Sequence, residues 1–131
     1  MAKKVLIVED NELNLRLFRD LLEAHGARVT TIRDARDALS AMQAELPDLV
    51  IMDIQLPHIS GVELIRMMRA DPALERTPVM AVTAYAGKGD ESRVREAGAD
   101  AYVSKPISVA RFVEAVEALA GSLGEGGRRG V

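Results

Sequence analysis

The sequence contains no cysteine, which removes disulfides, thiolate nucleophiles and Cys-based metal sites and fits a reducing compartment. Histidine is nearly as scarce, with two in 131 residues, too few to build a zinc site. Neither charge sign dominates. A net charge of −3 supplies no basic field of the kind that non-specific nucleic-acid binding needs, so direct DNA binding is not expected. Long apolar stretches are also missing. The opening Met-Ala-Lys-Lys-Val-Leu-Ile-Val-Glu-Asp reaches acidic residues after one short run, which is neither a signal peptide nor a membrane span. A cytoplasmic protein without membrane insertion is the corresponding expectation. No Gly-x-Gly-x-x-Gly or Walker loop occurs, which argues against a flavin- or nucleotide-binding module.

What is present is ordinary for a packed domain: 48% hydrophobic and 28% charged residues, outside the range of disordered chains. A length of 131 residues suits one core and leaves no room for an appended output domain. The expected organisation is a domain over 1–120 and a flexible tail over 121–131, where Gly-rich sequence lacks apolar periodicity.

Three short apolar runs each lead to a polar residue: Val5 to Val8 before Glu9 and Asp10, Leu49 to Met52 before Asp53, and Val79 to Val82 before Thr83. Short, non-alternating runs rich in Val and Ile suit strands buried on both faces of a parallel sheet. Weaker strand candidates are Arg28 to Ile32 and Ala101 to Ser104.

Helical periods separate them. Leu13, Leu17, Leu21 and Ala24 follow Asn11, with Gly26 as a stop. Asp34 can cap a helix carrying Ala38, Leu39 and Met42, and Ser60 with Glu63 has capping-box spacing. A polar helix fits Asp90 to Ala97, and Ser108 can open one with Phe112, Val113, Val116 and Leu119 on one side. Five strands alternating with five helices imply a doubly wound α/β sheet.

In such sheets the functional crevice lies beyond the carboxyl ends of the strands. If the first and third strands are neighbours, Glu9, Asp10 and Asp53 converge. Two carboxylates roughly 5 Å apart repel by about 3 kcal/mol at an effective dielectric near 20, so three together require a compensating cation. Oxygen ligands with room for water suit Mg²⁺. The expected ligands are Asp10, Asp53 and the Gln55 backbone carbonyl, with Glu9 acting through water. Lys105 follows the last strand and can reach the same spot. Asp53 then serves as nucleophile for phosphoryl transfer. Lys105, the Thr83 hydroxyl and the Ala84 N–H would hold phosphoryl oxygens, giving an aspartyl phosphate.

Each residue alone has a plainer reading. The Glu9-Asp10 pair could be a helix cap, Asp53 a turn residue, Thr83 a strand-end hydroxyl and Lys105 a surface lysine. Their joint occurrence, each at the end of its own strand, favours the chemistry. A phosphohydrolase would commonly carry a second Asp two residues after the nucleophile, where this sequence has Gln55, so turnover of an external substrate is not expected. An interaction protein that keeps the fold without the chemistry is disfavoured by the complete acidic, Thr83 and Lys105 set.

From Lys3 to Ala120 the chain resembles the receiver domains of two-component response regulators. The resemblance rests on Val-Leu-Ile-Val-Glu-Asp-Asn, Asp48-Leu-Val-Ile-Met-Asp53-Ile-Gln-Leu-Pro57 with Gly61, Val82-Thr83-Ala84, and Tyr102-Val-Ser-Lys105-Pro106. It implies a flavodoxin-like, CheY-like sheet of order 2-1-3-4-5, phosphorylation at Asp53, metal binding by Glu9, Asp10 and Asp53, and switching through Thr83 and Tyr102. Glu9-Asp-Asn-Glu-Leu-Asn-Leu and Ala84-Tyr-Ala-Gly-Lys-Gly-Asp-Glu are similar to a single-domain subgroup active in cell-cycle control. Gln55 and Tyr85 occupy positions that modulate phosphoryl lifetime in the family.

Implied partners are histidine kinases or phosphotransfer proteins and a downstream protein reading the face of helix four, strand five and helix five. Leu13 and Asn14, flanked by Leu17 and Phe18, offer a docking surface on the first helix, with Leu17 expected to face the sheet. Tyr102 and Pro106 complete the candidate partner residues. Tyr102 is expected to turn inward from an outward position when Thr83 moves toward a phosphoryl oxygen. Gly87 and Gly89 around Lys88 suggest a mobile loop.

Overall fold

The computed structural model describes residues 2–84, 90–105 and 108–123. Among them, five strands form one parallel sheet in the order β2-β1-β3-β4-β5. The strands are β1 (Lys4–Val8), β2 (Arg28–Ile32), β3 (Leu49–Asp53), β4 (Val79–Thr83) and β5 (Ala101–Ser104), as the apolar runs imply. The helices are α1 (Glu12–Ala24), α2 (Ala38–Glu45), α3 (Gly61–Ala70), α4 (Asp90–Ala97) and α5 (Val109–Ala120).

Successive strand residues point to opposite faces, and two cores result. Val5, Ile7, Leu49, Ile51, Met80 and Val82 pack with Phe18 and Leu22 of α1 and Phe112 and Val116 of α5. Leu6, Val8, Val50, Met52, Val79 and Ala81 pack with Met42 of α2, Leu64, Ile65 and Met68 of α3 and Val94 of α4. The Phe18 and Phe112 rings stack with centroids 4.7 Å apart, joining α1 to α5.

The helix starts follow the caps in the sequence. The Asn11 side chain accepts the Asn14 N–H at 3.0 Å, Ser60 and Glu63 form a capping box, and Ser108 accepts the Arg111 N–H at 3.2 Å. Each satisfies an amide that the helix itself leaves open. Asp34 caps a short 3-10 turn, Ala35–Asp37, and α2 begins only after it.

One expectation is corrected. On α1 the buried residues are Leu15, Phe18 and Leu22, while Leu13 is 77% and Leu17 49% exposed. Leu17 therefore faces solvent, because leucines occupy both sides of this helix and the Phe18 side is the one that meets the sheet. At the other end, Leu123 is fully buried in the α1/α5 core and its carbonyl accepts the Lys3 N–H at 2.8 Å. The packed unit thus continues beyond Ala120, since Leu123 supplies an apolar plug and a backbone partner beside β1. Residues 124–131 of the expected tail lie outside the described residues.

Candidate functional site

The strand order places the carboxyl ends of β1 and β3 side by side, at the point where the chain changes direction in the sheet. Glu9 directly follows β1 and Asp53 ends β3. Ligand oxygens of Glu9, Asp10 and Asp53 all lie within 4.8 Å of one another. Glu9 and Asp53 are buried, whereas Asp10 is exposed.

Lys105, just beyond β5, reaches into this cluster. Its Nζ donates to Glu9 Oε1 at 3.0 Å and to Asp53 Oδ2 at 3.1 Å. The remaining oxygens have backbone donors: Glu9 Oε2 accepts the Asn11 N–H at 3.1 Å, and Asp53 Oδ1 accepts the Gln55 N–H at 2.9 Å. Asp53 is thereby fixed through both oxygens.

The electrostatics match the crowding. Burial, reinforced by hydrogen bonding and repulsion from Asp53, raises the Glu9 pKa from 4.5 to about 7 against the opposing pull of Lys105 and the Asn11 amide. Burial acts against the Lys105 charge, but Glu9 and Asp53 outweigh it and raise the ammonium pKa. Three carboxylates facing one ammonium leave a formal excess of two negative charges when all are ionised. An all-oxygen donor set with that excess fits a hard divalent cation such as Mg²⁺.

Thr83, at the end of β4, is 1% exposed, and Ala84 after it is exposed. Gln55 bridges them. Its Nε2 donates to Thr83 Oγ1 at 2.6 Å, and its Oε1 accepts the Ala84 N–H at 3.1 Å. Beside the backbone carbonyl expected as a metal ligand, the Gln55 side chain thus contacts Thr83 and Ala84, which its position two residues after Asp53 does not by itself specify.

Gly61 opens α3 against the back of the site. A Cβ there would lie 2.8 Å from Ile54 Cα and 2.9 Å from the Asp53 carbonyl oxygen. Only the missing side chain permits this approach.

Tyr102 pairs with Ala81, and Ser104 is the partner of Thr83. Tyr102 thus shares Thr83's face of the sheet but sits one pleat repeat earlier. The expected outward starting position is corrected: its ring packs against the α2–α4 core, and its hydroxyl is buried without a hydrogen-bond partner among the described residues. Burial, then the charges of Asp90 and Glu91, raises its pKa. The ring borders a cavity of about 350 Å³ between α3 and α4, also lined by Ile54, Val62, Thr83 and Val94.

On α1, Leu13 is exposed and Asn14 half-buried, leaving an accessible surface there. Pro106, Tyr85 and the Gly87-Lys88-Gly89 loop lie outside the described residues.

Residues 5–117 match the response regulator receiver domain family. The chain is 51% identical over 121 residues to the polar-differentiation response regulator DivK of Brucella anthropi, covering 92% of this chain and 98% of that protein. The receiver domain of a Pseudomonas aeruginosa PAO1 sensor histidine kinase, solved with a magnesium ion coordinated in its active-site cleft, superposes with a TM-score of 0.85 at 31% identity. That match covers 93% of this chain and 100% of the other. The Vibrio cholerae chemotaxis protein CheY4 shares the fold with a TM-score of 0.86 at 24% identity, covering 91% and 99% of the two chains. The sheet order, the acidic cluster and these matches agree: the chain belongs to the response-regulator receiver family.

Proposed function

We propose that Asp53 is the phosphoacceptor of a Mg²⁺-dependent switch. The observation that carries this reading is the half-buried Lys105 ammonium held between Glu9 and Asp53 at 3.0 and 3.1 Å. Asp10, Asp53 and the Gln55 carbonyl would hold the ion, with Glu9 acting through water. When bound, Mg²⁺ supplies positive charge against the carboxylates and the incoming phosphoryl oxygens.

Asp53 provides an oxygen nucleophile. Its new O–P bond forms as the P–N bond of a phosphohistidine breaks, and the leaving imidazole retains the bond electrons and takes up a proton. Lys105 offers a compact charge to one phosphoryl oxygen, and Thr83 and Ala84 offer an O–H and an N–H to another. Such positioning lowers the barrier without a strong base. The product is an aspartyl phosphate, with no turnover of an external substrate.

The donor is a histidine kinase or phosphotransfer protein, docking on the α1 surface that includes Leu13 and Asn14. A downstream protein reads the face formed by α4, β5 and α5, which includes Tyr102. The similarity to DivK supports a role in cell-cycle and polar-differentiation signalling, for which a cytoplasmic protein is the reading. Among the described residues, no helix is long and apolar enough to cross a membrane. Phosphotransfer from a panel of purified histidine kinases to wild type and Asp53→Asn tests the reading: label enters only the wild type. Transfer to Asp53→Asn at the wild-type rate would overturn the assignment.

A further inference from the structure

The cavity of about 350 Å³ between α3 and α4 has the size of a small-molecule site, and phosphorylation of Asp53 gives it no role. Its lining is of two kinds. Ile54, Val62 and Val94 are buried and form an apolar floor beside the Tyr102 ring. The charged side chains lie toward solvent: Glu63, Arg66 and Arg93 are exposed, and Asp90 is half-buried.

These charges are not equivalent. Asp90 and Arg93 pair at 3.4 Å, and Glu63 Oε1 accepts the Ser60 N–H at 3.4 Å in the α3 capping box. Arg66 makes no hydrogen bond or ion pair among the described residues. Both carboxylates of the lining therefore already hold a donor, whereas the planar fork of the Arg66 guanidinium is uncommitted.

We propose that this cavity binds a small apolar monocarboxylate, with its hydrocarbon part on the floor of Ile54, Val62 and Val94 and its carboxylate on Arg66. The guanidinium fork matches a carboxylate in shape and charge, and the floor rewards a hydrocarbon body that an inorganic anion lacks. A dicarboxylate would turn its second charge toward Glu63 or Asp90. A cationic ligand would approach Arg66 without a counter-charge. Thr83 also lines the cavity, so an occupant sits between a group expected to receive a phosphoryl oxygen and the first turns of α4. The cavity is thus an effector site adjoining the phosphoryl centre and separate from its acidic cluster.

Titration of the metal-free protein with phenylacetate, phenylacetamide and phenethylamine, followed through the methyl resonances of Ile54, Val62 and Val94, tests the proposal. Phenylacetate should shift all three saturably and bind about fivefold more tightly than the neutral amide, the factor expected of a charge-assisted contact at an exposed guanidinium. The amine should bind most weakly. Arg66→Ala should erase the preference for the acid over the amide, and Arg66→Lys should keep part of it. Arg66 is exposed, so neither substitution threatens the fold.

Equal affinity for acid and amide in wild type, or a preference that persists in Arg66→Ala, would overturn the proposal. So would tightest binding of the amine, or no saturable shift at the three methyls with any probe. Shifts confined to the surroundings of Lys105 would also contradict it, because they would put the carboxylate on that ammonium instead.

Discussion

Lys105 and Glu9, 96 residues apart in the chain, meet in an ion pair of 3.0 Å with side chains 14% and 1% exposed. Breaking a buried pair is costly because the remaining charge loses its partner without regaining water. Lys105→Met should therefore lower metal-free stability by about 2–4 kcal/mol, somewhat less than a permanently charged pair because Glu9 can take up a proton. Added Mg²⁺ should restore more stability in the variant than in wild type. Urea unfolding in EDTA and in Mg²⁺ measures both effects, and a variant as stable as wild type in EDTA would contradict the pairing.

The raised pKa of Glu9 sets a pH dependence. Between the ordinary 4.5 and about 7, the folded protein holds a proton at Glu9 that the unfolded chain has released. Its contribution to metal-free stability is greatest below that window and falls as pH rises through it. Asp34 and Asp71, whose pKa values are lowered by hydrogen bonds from Arg36 and Gln43, act oppositely and in more acidic solution. Stability in EDTA measured between pH 4.5 and 7 should lose part of its downward slope in Glu9→Gln. An identical slope in both proteins would remove Glu9 as its source.

At Gly61 the obstacle to a side chain is backbone, 2.8 Å away at Ile54 and 2.9 Å at the Asp53 carbonyl. Neither can move aside as a flexible side chain would. Gly61→Ala should cost about 2–3 kcal/mol and slow phosphorylation of Asp53 by small phosphodonors. Retained stability and an unchanged rate would show that the loop yields freely.

Much of this arrangement is legible in the sequence because its signals are local. Runs such as Leu49 to Met52 have no polar face, so they must be buried on both sides, and the polar residue ending each run marks the crevice. The face of α1 is different. Leu13 and Leu17 repeat at the same helical spacing as Leu15, Phe18 and Leu22, so periodicity defines the helix without selecting the buried side. The register of β5 is likewise set by pairing with β4, which puts Tyr102 opposite Ala81. The Gln55 amide finds Thr83 only when the ends of β3 and β4 are brought together, and no local pattern encodes that contact. His58 adopts a positive φ of 73° that its residue type does not announce.

A structural tie outside the site also escapes sequence patterns. Arg69, near the end of α3, donates to the Gly98 carbonyl at 3.1 and 2.8 Å, to the carbonyls of Leu74, Glu75 and Thr77, and to Asp100. These contacts join the α3–β4 loop to the α4–β5 loop. Lysine cannot reproduce the planar fork of donors, so Arg69→Lys should lose about 2–4 kcal/mol and fare little better than Arg69→Met. Full stability in the lysine variant, by urea unfolding, would reduce the tie to a single charge contact.

The central claim is that Asp53 carries a phosphoryl group when a divalent cation balances the carboxylates. Intact-mass spectrometry after incubation with acetyl phosphate and Mg²⁺ tests it most directly. The account predicts one phosphoryl increment on the wild type, absent in EDTA and absent in Asp53→Asn. Folded wild type that gains no mass under these conditions, or Asp53→Asn that gains the same increment, would contradict it.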